Sequence, residues 1–212
     1  YSAITMAKLR AARTNETQGH APVNIGDRAI DNLEFIRETM ERSTSFTAVP
    51  GYGGMLMGLT ACAAAYIAAT RAAGLDWLVT WLVEAALAFA IGLLAMWQKS
   101  RLADASLLSA PARKFALSFT PPLIVGVAIT FGLWRYEHYE MMAPVWILCY
   151  GAAVVCGGAF SVKIVPVMGW AFIAIGAAAC ALPSAFGNYL MAASFGLLHV
   201  VFGAVIARRH GG

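Results

Sequence analysis

Residues 77–97 read WLVTWLVEAALAFAIGLLAMW and run into Gln98-Lys99-Ser100-Arg101. At 1.5 Å per residue, a helix of this stretch is about 30 Å long, the thickness of a bilayer's hydrocarbon core. It carries one charge, Glu84, and ends at a pair of bases. It therefore reads as a membrane-spanning helix whose C-terminus meets water.

Five further apolar runs lie around it, roughly 55–73, 119–135, 141–160, 164–182 and 188–207. With 60% hydrophobic and 12% charged residues, an ordinary soluble domain is excluded. The expected fold is all-α: a polytopic membrane protein with six transmembrane helices in three in-out-in hairpins, preceded by an N-terminal amphipathic helix. The expected division is a cytoplasmic arm over 1–50 and a membrane domain over 51–212.

The bases set the orientation. Thirteen of the fifteen Lys and Arg residues fall on one side of the ladder of spans. Lys8, Arg10, Arg13, Arg28, Arg37 and Arg42 precede span one. Lys99, Arg101, Arg113 and Lys114 lie between spans two and three. Lys163 lies between four and five, and Arg208 and Arg209 follow six. Only Arg71 and Arg135 sit on the other side. Lys and Arg mark the cytoplasmic face, so both termini are expected inside a bacterial inner membrane. The same pattern accounts for the net charge of +4 without nucleic-acid binding. The basic clusters also suit anionic lipid head groups.

The loops on the far side are tiny, around 74–76, 136–140 and 183–187. The largest near-side loop is 98–114. Within it and just beyond, Ala112 to Phe119 suits an interfacial helical piece. Thr120-Pro121-Pro122 is expected to interrupt it, because proline suits the first turn of a helix and not its middle. The third membrane helix is therefore placed to start near Pro121. Val49-Pro50 leading to Gly54 resembles Val165-Pro166 leading to Gly169, and Gly92 matches Gly203. This is a faint repeat of the parallel kind.

Residues 1–25 are polar and are expected to order only against a partner. No apolar core long enough for a cleavable signal occurs in 1–50. The first residue is Tyr1 rather than Met, so a few residues are expected upstream. Over 28–42, with Asp27 as its cap, Ile30, Leu33, Ile36 and Met40 recur at helical spacing. Asp31, Glu34, Glu38, Glu41 and Arg42 occupy the other face. The apolar stripe is expected to be buried against membrane, bundle or a cytosolic partner. Pro50-Gly51-Tyr52-Gly53-Gly54 is expected to break the chain before it enters the bilayer.

Helices in lipid pack through small residues. Such stripes occur at Gly54, Gly58, Cys62, Ala65 and Ala69 in span one. Span two has Ala85, Ala88, Gly92 and Ala95, and span six has Ala192, Gly196, Gly203 and Ala207. Two ionisable residues lie on or beside these stripes, Glu84 and His199. A charged side chain at mid-span costs about 2.5–3.5 kcal/mol on insertion scales, so each needs a partner or a role. Their similar depths allow contact if spans two and six are neighbours. One reading is a proton-titrating pair; the other is two neutral groups hydrogen-bonded across helices. His199 also has the chemistry to ligate a haem or pigment. A bis-histidine site is excluded within one chain, because His20, His138 and His210 lie outside the spans. No metal cluster is expected.

Cys62, Cys149, Cys156 and Cys180 lie inside spans without zinc spacing and read as small packing residues. Arg135, Glu137, His138 and Glu140 read as a solvated rim. Lys163 is expected to reach the inner surface. No nucleotide-binding loop, HExxH or nucleophile elbow is present.

Four stretches carry a resemblance: IDNLEFIRETMER over 30–42, FTAVPG over 46–51, KFALSF over 114–119 and GGAFSVK over 157–163. From about residue 29 the chain resembles a family of bacterial six-span integral membrane proteins whose activity is uncharacterised. The resemblance implies origin and topology, and no ligand or catalytic residue. The expected function is a non-enzymatic inner-membrane subunit or sensor, acting through helix packing and a cytoplasmic partner helix. Its expected partners are the bilayer and either a protein partner or further copies of itself. The alternative is a small proton-linked transporter using Glu84 and His199; a haem or pigment carrier ranks third.

Overall fold

The computed structural model describes Ile30, residues 32–36, Met40, residues 46–102 and residues 107–210. The Asp27 cap, the stretch 1–25 and positions Asp31, Glu38, Glu41 and Arg42 lie outside the described residues. The chain divides into two units, Tyr1–Ser43 and Thr44–Gly212. In the first, Ile30, residues 32–36 and Met40 are helical, and Ile30, Leu33, Ile36 and Met40 are exposed.

The second unit is all-α and contains six helices long and apolar enough to cross a membrane. They are α1 (Gly51–Ala69), α2 (Leu75–Leu102), α3 (Ala110–Arg135), α4 (Met142–Gly158), α5 (Ile164–Ala181) and α6 (Ser184–His210). A 3-10 turn, Tyr139–Met141, leads into α4. Helix α6 opens with a 3-10 turn and changes to a π-helix over Ala192–Leu198 before resuming at His199. No strand occurs among the described residues, only an isolated parallel bridge between Phe46 and Ser161.

Two helices begin earlier than sequence rules suggest. Helix α1 begins at Gly51 rather than near 55, with Pro50 as its N-cap and Gly51, Gly53 and Gly54 inside its first turn. Their role is close approach. A Cβ on Gly51 would overlap Ala207, and one on Gly53 would overlap Ala95. Helix α3 starts at Ala110, not Pro121, and runs through both prolines. Proline removes an N–H and leaves a carbonyl unpaired, yet membrane helices tolerate it where packing holds both sides. Here Phe115 and Phe119 stack before the prolines, with centroids 5.5 Å apart, and Gly126 meets Cys149 after them. The interfacial piece and the membrane helix are thus one helix.

Two of the hairpins close on themselves, α1 with α2 and α3 with α4, and the third is more open. Helix α1 lies between α2 and α6, and α4 lies between α3 and α5. Helices α5 and α6 share a short face, and each packs mainly on another hairpin, α5 on α4 and α6 on α1. Glycines set both tight seams. On α1, a Cβ at Gly58 would lie 2.6 Å from the Gly196 carbonyl, and Gly54 faces the Cα of Gly203. On α4, Gly151 faces Phe172 and the Gly169 carbonyl. Phe172, Met142, Ile147, Met191 and Ser194 are fully buried where α4, α5 and α6 meet.

Residues 46–50 form a strap across the basic end. Phe46 N–H donates to the Phe160 carbonyl at 2.7 Å, and the Ser161 hydroxyl donates to the Phe46 carbonyl at 2.7 Å. The Phe46 ring meets Phe115 at 5.0 Å, and Lys99 Nζ donates to the Val49 carbonyl at 3.0 Å.

Candidate functional site

Both ionisable residues inside the spans point into the bundle: Glu84 is 7% exposed and His199 6%. They do not meet. Helix α1 stands between α2 and α6, with Thr60 turned towards α2 and Gly54 and Gly58 towards α6. Each ionisable group therefore finds a different partner.

His199 is the first residue after the π-helix. Its Nε2 is 2.7 Å from the Tyr150 hydroxyl on α4. An aromatic shell drawn from three helices encloses the pair. Phe195 stacks on the imidazole at 6.2 Å and 14°, and Phe172 meets it edge-on at 5.4 Å. Phe119 from α3 meets the Tyr150 ring edge-on at 6.1 Å. His199 Nδ1 is buried without a hydrogen bond of good geometry, although the backbone of Ser194 and Phe195 lies close. One proton is available for the Tyr150–His199 bond in either tautomer. The contact is a neutral tie between α4 and α6, and no carboxylate touches it. A pigment ligated through Nε2 would have to displace Tyr150 and open the ring stack.

Glu84 Oε1 is 2.9 Å from the Thr60 hydroxyl on α1. That hydroxyl is also 2.9 Å from the Met57 carbonyl and 3.3 Å from the Leu56 carbonyl. Trp81, one turn from Glu84, packs on Phe195 with centroids 6.5 Å apart. The link between the two polar pairs is thus an aromatic ring. The Trp81 indole N–H is buried and has no partner.

A second aromatic layer lies nearer the loop end. Trp77 donates to Asn188 Oδ1 at 2.6 Å and stacks on Trp146 at 5.7 Å. Trp146 donates to the Thr130 hydroxyl at 2.7 Å, whose own proton goes to the Gly126 carbonyl. This layer ties α2 to α6 and α3 to α4.

The packing glycines fall into two groups. Gly54, Gly58, Gly196 and Gly203 are buried in the seam between α1 and α6. Gly92 on α2 is half-buried and faces only the Met57 sulfur. Of the stripe expected on α2, Ala85 is exposed, Ala88, Gly92 and Ala95 are half-buried with Ala95 against Gly53, and the fully buried positions are Leu78, Trp81, Glu84 and Ser100. Ala69 is likewise exposed, with Ala61, Ala64, Ala65 and Ala68 buried. Of the cysteines, Cys149 packs on Gly126 and is half-buried; Cys62 touches Gly196 but is exposed, as are Cys156 and Cys180.

At the rim, Glu137 takes a left-handed backbone, φ 61°, at the end of α3. His138 N–H reaches back to the Leu133 carbonyl at 2.8 Å, and Glu137 N–H to the Trp134 carbonyl. This closes the helix in the manner usually served by glycine. His138 pairs with Glu140 at 3.3 Å in a half-exposed contact of small energetic weight. Among the described residues, no group of three or more His, Cys, Asp or Glu side chains could hold a metal ion.

Tyr150 and Thr60, the partners of His199 and Glu84, escape sequence reasoning. A single hydroxyl in an apolar run carries no periodic signal. The one available hint was their mid-span depth. No family model matches the chain, and no curated protein or solved structure is detectably similar to it.

Proposed function

We propose that this protein is a non-enzymatic subunit or sensor of the bacterial inner membrane, with both termini in the cytoplasm. It works by helix packing and presents its N-terminal helix to a protein partner. The observation that carries this reading is the use made of polar groups inside the bundle. Thr60–Glu84 joins α1 to α2, and Trp77–Asn188 joins α2 to α6. Thr130–Trp146 joins α3 to α4, and Tyr150–His199 joins α4 to α6. Each is spent on holding two helices together. The opening found at the loop end, lined by Glu140, Met141, Cys180 and Leu190, is about 240 Å³. The exposed stripe of Ile30, Leu33 and Ile36 supports the partner-helix part of the reading.

The test is extraction of the full chain in mild detergent beside a Leu33→Asp/Met40→Asp variant. A stoichiometric partner should accompany the first and be lost from the second, with equal thermal stability of the spans. Equal retention by both, or a solitary monomer in both, would end the reading. A reporter fused after Gly212 should be active only in the cytoplasm.

A second reading, a proton-linked transporter, is favoured by one observation: the Glu84 carboxyl is buried mid-span. Solute flux in liposomes that depends on a pH gradient and fails in Glu84→Gln would support it. The lack of a contact between Glu84 and His199 weighs against a paired mechanism.

A further inference from the structure

Glu84 is nine residues into α2, about 14 Å from its start at 1.5 Å per residue, which puts it near mid-bilayer. Among the described residues, no charged side chain faces it. Helix α1 carries no Asp, Glu, Lys, Arg or His. Of its titratable groups, Tyr52 and Tyr66 are exposed and Cys62 lies against Gly196. On the α4 and α6 side, Tyr150 and His199 are bonded to each other. An ionised carboxylate here would have a single hydrogen-bond donor and no counter-charge.

The oxygen geometry supplies the other half of the argument. The Thr60 hydroxyl owns one proton and stands 2.9 Å from two acceptor oxygens, Glu84 Oε1 and the Met57 carbonyl. A carbonyl cannot donate. If Thr60 gives its proton to Met57, the contact to Glu84 needs a proton from the carboxyl. With an ionised carboxylate, Thr60's one proton serves either Glu84 or Met57 and leaves the other oxygen pair at 2.9 Å with no hydrogen between; with a protonated one, Glu84 O–H donates to Thr60 Oγ1 and Thr60 O–H to Met57 O, and both contacts are filled. At 2.9 Å each gap is the length of a hydrogen bond.

We propose that Glu84 and Thr60 form a proton-binding site that clamps α2 to α1, the bound proton being its ligand and its release loosening α2. The consequence follows from what holds α2 at that depth. Its buried side chains are Leu78, Trp81, Glu84 and Ser100 along 28 residues. Its polar ties sit at three depths: Trp77 to Asn188 near the loop end, Glu84 to Thr60 in the middle, Lys99 to Val49 at the basic end. A charged Glu84 has no reason to stay in the middle tie. Val83 and Ala85 on either side face outward, so the carboxyl is one helix-width from lipid. This proposal stands apart from the partner reading and survives its failure.

The test uses the full chain in liposomes with dicyclohexylcarbodiimide, a lipid-soluble reagent that adds to protonated carboxyls. The acid O–H adds across one C=N bond, acyl migration to nitrogen follows, and nothing leaves. Peptide mapping should find one reagent molecule on Glu84 at neutral pH, falling severalfold as the pH is made alkaline. A water-soluble carbodiimide should leave Glu84 unlabelled. Hydrogen exchange of α2, corrected for intrinsic rates, should quicken with alkaline pH in the native chain and not in Glu84→Gln. An unlabelled Glu84 at every pH overturns the proposal. So does protection by sodium ion at constant pH, which would make the ligand a metal cation. Exchange in α2 that responds to pH equally in both chains overturns the clamp.

Discussion

Helix α1 meets α6 through glycine against glycine, and meets α2 through a hydroxyl against a carboxyl. The α6 face brings backbones together: Gly54 lies over Gly203, and Gly58 lies under the Gly196 carbonyl. The α2 face is looser. Gly92 touches only the end of Met57, and the contact is organised around Thr60 and Glu84. In lipid, where apolar surface gains little by leaving the solvent, dispersion between close backbones makes the first seam. A hydrogen bond makes the second. The first seam tolerates no added volume; the second is as tight where Gly53 abuts Ala95, but from there on, at Gly92, it tolerates volume and depends on its polar atoms.

Substitution in the glycine seam should do the most damage. Gly58→Leu and Gly203→Leu place carbon where the Gly196 carbonyl and the Met55 amide already stand. Overpacking commonly costs about 1–3 kcal/mol, and a clash with backbone belongs at or above the top of that range. Both variants should lose assembly, or unfold at clearly lower temperature in detergent. Full thermal stability in either would sink the seam reading.

How far the comparison was legible from sequence depends on what kind of contact each face uses. Small residues three and four apart mark the α1–α6 seam, and Gly54, Gly58, Gly196 and Gly203 were found that way. On α2 the same rule holds in part: Ala95 abuts Gly53, and Ala88 and Gly92 are half-buried, whereas Ala85 is exposed and the fully buried side chains are Leu78, Trp81, Glu84 and Ser100. Rules from water also misplaced two helix starts. Glycine reads as a turn in Gly51–Gly54, yet here it permits contact with Ala207 and Ala95. Pro121 reads as a start, yet packing on both sides carries α3 through it. Glu84 and His199 stood out because charge is rare in a span. Their partners did not, since Thr60 and Tyr150 are found only once the helices are arranged. The π-helix before His199 and the Phe46 strap have no sequence signal of this kind.

Tyr150→Phe extends the comparison to the other polar tie. It leaves His199 Nε2 buried without its partner, inside rings that admit no substitute. The expected loss is about 1–2 kcal/mol, between the cost of an unmade buried bond and the smaller values found in membranes. Thermal unfolding should show a lower midpoint than in Phe119→Leu, which trims the shell and keeps the bond. The reverse order would mean that ring packing, not the bond, holds α4 to α6.

Thr60→Val removes the hydroxyl and keeps the shape. It should cost about 0.5–1 kcal/mol, near the average for a polar contact between membrane helices. The loss should appear as faster hydrogen exchange in α2, with the α1–α6 seam unchanged. Equal loosening on both faces of α1 would show that the two contacts are not separable.

The smallest effect is expected at Gly92, and it has the opposite sign. By spacing alone Gly92 belongs with Gly58 and Gly203. By geometry it does not, since an added Cβ would meet only the Met57 sulfur, at 3.3 Å. That atom is the far end of a flexible side chain, and a shift of a few tenths of an ångström clears it. Against this stands the gain from replacing glycine in a helix interior, about 0.5–1 kcal/mol in favour of alanine. Gly92→Ala should therefore be neutral or slightly stabilising, whereas Gly58→Ala, which drives a methyl into the Gly196 carbonyl, should be destabilising. Paired melting curves of the two variants in one detergent decide the matter. If they fall together, the α2 face of α1 is as close-packed as the α6 face, and the distinction between a glycine seam and a polar clamp fails.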